Sequence, residues 1–187
     1  FDAAAIAYMR ARPPRSRSLV AYGEGFPDFV ERLDPDAPPW LAAVARLDRA
    51  WLEAHLAEDV SPLTAADFDD AGALAQTRCA LHPSARLIDN EWAVHALWAA
   101  SRVGGQDAQT PRAREHGAET SLIWRRQNEA ADRTLNAGEA AFGRGVAGGP
   151  SPGGASAQGQ AAGGGGAQIV AEAREAGGVA RNGEEKT

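Results

Sequence analysis

Cysteine and lysine are nearly missing from this chain of 187 residues, where Cys79 and Lys186 are single occurrences. One cysteine excludes an intramolecular disulfide framework and a thiolate zinc cluster, so the fold must rest on apolar burial. No apolar run approaches the roughly 18 residues of a membrane span, and no charged-then-apolar signal segment opens the chain. The expectation is a soluble, cytoplasmic protein. Positive charge is in deficit as well, with 25 acidic against 19 basic side chains and a net charge of -6. That balance argues against a general DNA binder, whose affinity comes from neutralising phosphates with Lys and Arg. The length allows one or two small domains with a modest core.

What the chain does contain is unevenly placed. Of the 21 glycines, 14 follow Phe142, whereas all five tryptophans (Trp40, Trp51, Trp92, Trp98, Trp124) precede it. The body is therefore expected to end near Phe142. Residues 143–187, rich in Gly and Ala, are expected to form a flexible tail, because they offer no apolar face that offsets ordering entropy. A short helix at Ile169–Ala176 is possible within that tail.

Inside the body, Phe1, Ala4, Ala5, Tyr8 and Met9 recur at helical spacing until Pro13-Pro14 stops them. Ser18 is placed to cap a turn carrying Leu19 and Tyr22, and Phe26, Phe29, Val30 and Leu33 continue the stripe as a broken helix. After the stiff connector Asp34 to Pro39, the clearest helix is expected over Trp40–Glu58. Its inner stripe is predicted to be Leu41, Val44, Leu47, Asp48, Trp51, Leu52 and His55. Thr64 and Asp67 make a weak capping-box pattern for a short helix at Ala65–Ala71. Arg78–Ile88 reads as extended around Pro83, and Glu91–Ser101 returns to helical spacing. Thr120–Arg126 and Ala131–Leu135 read as two strands of a hairpin, and Asn136 as the cap of a last helix from Ala137 to about Phe142. The predicted fold is α+β: a helical unit over 1–75, a small mixed unit with a β-hairpin and a helix over 76–142, then the tail.

Candidate chemistry is sparse. His55, His82, His95 and His116 lie in four separate segments without ligand spacing, so no metal site is expected. Ser84 has no nucleophile-elbow glycines, Cys79 reads as a buried small hydrophobe, and Gly23-Glu24-Gly25 lacks the third glycine of a dinucleotide loop. The cluster Arg10, Arg12, Arg15 and Arg17 suits phosphate, or more simply a solvated helix C-terminus where cations offset the dipole. Asp48, an acid on an inner stripe, must be paired, and Arg86 is the partner expected for a structural clasp. Neither a catalytic residue nor a cofactor is expected.

Four segments taken in series carry a resemblance. They are Pro14-Arg15-Ser16-Arg17-Ser18-Leu19, Tyr22-Gly23-Glu24-Gly25-Phe26-Pro27-Asp28-Phe29, Leu41 to Trp51, and Leu81-His82-Pro83-Ser84-Ala85-Arg86-Leu87. Together they resemble the HvfC/BufC family, long labelled a DNA-binding domain. The likeness covers about Phe1 to Asp89, and more loosely Glu119 to Phe142 through Leu122-Ile123-Trp124-Arg125-Arg126 and Gly138 to Phe142. Family members usually carry a helical segment before the position of Phe1 and an ordered apolar end after that of Phe142, so the chain reads as truncated at its start and divergent at its end.

The resemblance implies a non-catalytic recognition subunit. Such proteins pair with a multinuclear non-haem iron oxidative enzyme and present it with a ribosomally made, cysteine-rich precursor peptide, in copper-related peptide maturation. On this reading the helical unit supplies an apolar docking face for the enzyme. The strand Leu122, Ile123, Trp124, Arg125 and Arg126 is then the candidate for taking up the peptide by strand addition, its apolar and basic residues alternating. The competing reading is a DNA-binding transcriptional regulator, against which stand the negative charge and the lack of a basic recognition helix.

Overall fold

The computed structural model describes residues 2–15, 17–33, 37–61, 79–102, 116–126, 128–147 and 179–181. Contacts gather them into two units that interleave along the chain, one of Phe1–Glu53 with Ile88–Glu119 and one of Ala54–Leu87 with Thr120–Thr187. Helices and strands share the chain, so the fold is α+β. The boundary expected at residues 75 and 76 lies outside the described residues, as do the helices expected at Ala65–Ala71 and Ile169–Ala176 and the side chains of Cys79 and His116.

In the first unit, α1 (Asp2–Ala11) ends before Pro13-Pro14, since proline offers no donor to continue the ladder. A short α2 (Leu19–Tyr22) runs through a 3-10 turn at Gly23–Gly25 into α3 (Phe26–Leu33), which is the broken helix expected. The Ser18 hydroxyl accepts the Ala21 N–H at 3.3 Å at its start. Tyr8 is the hub: 5% exposed, it lies with its ring 5.3 Å from Tyr22, 5.4 Å from Phe26 and 5.2 Å from Phe29. Its hydroxyl donates to the Tyr22 carbonyl at 2.8 Å, so the buried phenol is satisfied.

The long helix α4 (Leu41–Leu56) is shorter at both ends than expected and turned differently. At 100° per residue, Ala43, Leu47, Ala50 and Ala54 form one face, and they are 3%, 0%, 2% and 0% exposed. Asp48, Leu52 and His55, expected inside, are exposed instead. Alanine was the buried residue type here, because small side chains let a helix pack closely and cost no rotamer entropy.

Beyond α4 the chain forms β1 (Cys79–Leu81), β2 (Arg86–Trp92), α5 (His95–Arg102), β3 (His116–Arg126), β4 (Glu129–Leu135) and α6 (Ala137–Ala147). The expected extended segment is thus two strands, and Glu91 and Trp92 belong to β2 rather than to the following helix. Strands β2, β3 and β4 make one sheet in that order. The hairpin register runs antiparallel from Thr120↔Leu135 to Arg126↔Glu129. At the start of α6 a reciprocal capping box forms: the Glu139 N–H donates to Asn136 Oδ1 at 3.0 Å, and the Asn136 N–H to Glu139 Oε2 at 2.7 Å. Arg133 donates to the other Glu139 oxygen at 2.7 Å, so this carboxylate is fully engaged.

Two findings revise the expected tail. The last helix does not stop at Phe142 but continues to Ala147, with Gly143 and Val146 buried. A Cβ on Gly143 would come within 2.9 Å of Leu87 Cδ1, so glycine is there because the Leu87 side chain lies against the helix backbone. Further on, β5 (Val179–Arg181) pairs antiparallel with β1, Cys79 opposite Arg181 and Leu81 opposite Val179.

Replacing Asn136 by Ala is expected to cost about 1 kcal/mol of stability through loss of the cap. Urea unfolding followed by tryptophan fluorescence measures it, and an unchanged midpoint would exclude the capping role.

Candidate docking site

The first unit contains a groove of about 360 Å³ whose lining is almost wholly apolar. Tyr8 and Met9 of α1, Tyr22 of α2 and Phe26 of α3 form one side of it. Ala45, Asp48, Arg49 and Leu52 of α4 form the other. The second set follows i, i+3, i+4, i+7 spacing, which makes one stripe on the side of α4 opposite Leu47 and Ala50. The helix thus buries Ala43, Leu47, Ala50 and Ala54 on one side and presents Leu52 on the other. Met9 is 51% and Leu52 39% exposed at the groove, so two large apolar side chains face water where a closed core would cover them.

The polar groups at the groove are tied down. Asp48 Oδ1 accepts the Trp98 indole N–H at 2.6 Å, and Trp98 is fully buried. Arg49 donates to the Val20 carbonyl at 3.0 Å and pairs with Glu53 at 2.6 Å, one turn along α4. Arg46, on the next face, binds Glu31 of α3 at 2.8 Å. Behind Trp98, the Arg102 guanidinium stacks 3.5 Å from the Trp51 ring centre, and Glu119 accepts the His95 N–H at 2.9 Å, capping α5. The walls of the groove are therefore fixed by hydrogen bonds and ion pairs.

The clasp expected between Asp48 and Arg86 does not form in the way proposed. Asp48 is exposed, and it takes the Trp98 indole because its position on α4 is on the groove side rather than the alanine side. Arg86 donates instead to the carbonyls of Pro83 and Ala85 within its own turn.

The strand proposed for peptide uptake is also otherwise occupied. Leu122 to Arg126 lie in β3, the middle strand of its sheet, with β2 and β4 on its two edges. Ile123 is fully buried and Trp124 is 8% exposed, so neither presents a free face, and Leu122 is half-buried opposite Arg133. The Arg125 guanidinium closes the end of α4, donating to the carbonyls of His55 at 2.9 Å and Ala57 at 2.8 Å. It also binds the Asp59 carboxylate. Those last-turn carbonyls have no partner within the helix, and an arginine satisfies several at once. Arg126 alone of the five is exposed.

The four histidines do not converge, and among the described residues no three His, Cys, Asp or Glu side chains come together as a metal site. His82 is a structural residue. Its Nδ1 accepts the Ser84 N–H at 3.1 Å, which leaves Nε2 to donate to the Val60 carbonyl at 3.0 Å. Ser84 Oγ, fully buried, bonds His82 Nδ1 at 2.8 Å and accepts the Arg125 N–H at 3.0 Å. A serine so enclosed holds a turn and cannot meet a substrate. Among the described residues no helix is long and apolar enough to cross a membrane.

Comparison with models of protein families gives no match, and comparison with curated proteins gives none.

Replacing Asp48 by Ala leaves the buried Trp98 N–H without its acceptor and is expected to cost about 1–3 kcal/mol. In a Trp98→Phe background the same replacement is expected to cost much less. A double-mutant cycle by chemical unfolding reads the coupling, and additive losses would remove the bond from the account. Replacing Arg125 by Ala is expected to cost about 2 kcal/mol, from carbonyls and a carboxylate left unpaired. Thermal melting checks it, and a wild-type melting curve would mean that α4 ends independently of β3.

Proposed function

We propose that this chain is a non-catalytic recognition subunit. Its partner is a multinuclear non-haem iron oxidative enzyme, and it helps present to that enzyme a ribosomally made, cysteine-rich precursor peptide in copper-related peptide maturation. The observation that carries the reading is the open apolar groove of the first unit. Seven of the residues that line it (Tyr22, Gly23, Phe26, Pro27, Ala45, Asp48 and Arg49) come from the two segments, Tyr22 to Phe29 and Leu41 to Trp51, that also carry the family resemblance. Segments that resemble a partner-binding family therefore build the surface suited to a partner. An amphipathic segment laid into such a groove buries its apolar side chains against Met9, Phe26 and Leu52, each worth about 1.5–3 kcal/mol when fully buried.

Peptide uptake by strand addition, on this reading, uses an outer strand rather than β3. Of the two outer strands in the sheet order, β4 is also one arm of the hairpin. Main-chain hydrogen bonds at a sheet edge supply affinity with little demand on sequence, which suits a leader segment.

Co-expression with a multinuclear non-haem iron oxidative enzyme, followed by purification through a tag on this chain, tests the proposal. A stable complex is expected, with no affinity for duplex DNA at physiological salt. Met9→Glu combined with Leu52→Glu is expected to lower the yield of complex at least about tenfold, since a charge buried without a partner costs more than 1.4 kcal/mol. Both positions are exposed in the free protein, so its melting temperature should stay within about 2 °C of the wild type. Failure to recover the enzyme with a well-folded chain would overturn the reading, and salt-sensitive DNA binding would favour the regulator in its place.

A further inference from the structure

Beside the apolar groove the first unit has a second cavity, of about 450 Å³, with a different lining. Arg12 and Arg15 line it together with Tyr8, Ala11, Pro13, Ala21 and Tyr22. Tyr8 and Tyr22 also line the groove, so the two cavities adjoin at these side chains. The segment from Arg10 to Ser18 carries four arginines and no acid, and Arg10, Arg12, Arg15 and Arg17 are all exposed. Among the described residues, neither Arg12 nor Arg15 is in an ion pair, whereas Arg46 and Arg49 on the other side of the groove both are.

One of these guanidiniums is placed by the fold. Arg12 lies over the Tyr8 ring, 5.9 Å from its centre, and a Cβ on Gly25 would collide with its terminal nitrogen. The second glycine of Gly23-Glu24-Gly25 thus leaves the space that Arg12 fills. A cation lodged against an aromatic face and a bare backbone has lost part of its rotamer freedom before any ligand arrives, which lowers the cost of binding. Where the two cavities adjoin, the Tyr22 hydroxyl is enclosed and has no hydrogen-bond partner among the described residues.

We infer that the Arg12–Arg15 cavity binds carboxylate groups of the same partner segment that docks in the groove, so that this segment is an apolar stretch continued by acidic residues. The inference rests on the recognition-subunit reading and adds the chemistry of the segment to it. Guanidinium forks match carboxylates in two parallel hydrogen bonds, and such charge-assisted bonds are about twice as strong as neutral ones. A polypeptide fits better than a nucleic acid because the cavity adjoins an apolar groove rather than more positive charge.

Fluorescence anisotropy with three labelled peptides tests this on the full chain. They share a run of leucines and alanines and end in glutamates, glutamines or lysines. The glutamate peptide is expected to bind at least about tenfold more tightly than the glutamine peptide, a difference that one charge-assisted contact supplies. Arg15→Glu should erase that preference and favour the lysine peptide, without changing the melting temperature. Gly25→Ala, which displaces Arg12, should weaken the glutamate peptide and leave the glutamine peptide unaffected. Equal binding of glutamate and glutamine peptides would overturn the inference while leaving the groove and the subunit reading intact. A preference that persists in both Arg15→Glu and Gly25→Ala would also overturn it, as would tighter, arginine-dependent binding of duplex DNA of equal charge.

Discussion

Much of the first unit depends on which side of α4 is buried. A helix with Ala43, Leu47 and Ala50 on one side can pack closely there, and that choice sends Asp48 and Leu52 to the opposite side. From this one rotation follow the acceptor for the Trp98 indole, the lining of the groove, and the exposure of a leucine that a bulk-driven packing would have hidden. Tyr8 makes the matching constraint from α1. Its ring gathers Tyr22, Phe26 and Phe29, and its hydroxyl fixes the main chain at Tyr22. Small residues, Ala5, Gly23 and Ala45, are among those that line the groove, and their short side chains leave room in it.

The second unit is organised by a different device, the use of charged side chains to close backbone ends. Arg125 reaches the carbonyls that end α4, and Glu139 with Asn136 closes the N–H groups that begin α6. Each bond satisfies a group that the helix itself cannot. Both devices use residues that look like surface charges in the sequence, and both are spent on the fold rather than offered to a ligand. Among the described residues, Arg12 and Arg15 after α1 are in no ion pair.

The elements that were legible in the sequence are those with a strong local cause. Pro13-Pro14 ends α1, the aromatic stripe from Tyr22 to Leu33 makes a broken helix, and Asn136 opens α6, all without reference to distant parts of the chain. What escaped depended on partners far away in sequence. Arg125 reads as an exposed strand residue until the end of α4 is seen to need donors, and a strand with both edges taken looks locally like one that is free. Asp48 was misplaced because periodicity ranks leucine and tryptophan above alanine as core residues, whereas here tight packing favoured the smaller ones. Helix α6 outruns its expected end because the glycine-rich sequence from Gly143 shows no apolar face, whereas Gly143 itself is a contact that lets Leu87 approach. The groove was hidden for a related reason: sequence cannot tell an apolar side chain that meets another from one that meets solvent.

The pairing of Val179–Arg181 with Cys79–Leu81 joins two segments that lie far apart along the sequence. A contact of such high sequence separation gives nothing back until its two ends have met, so it is expected to form after the local helices of the first unit. A substitution in this strand pair would then quicken unfolding and leave the folding rate almost unchanged.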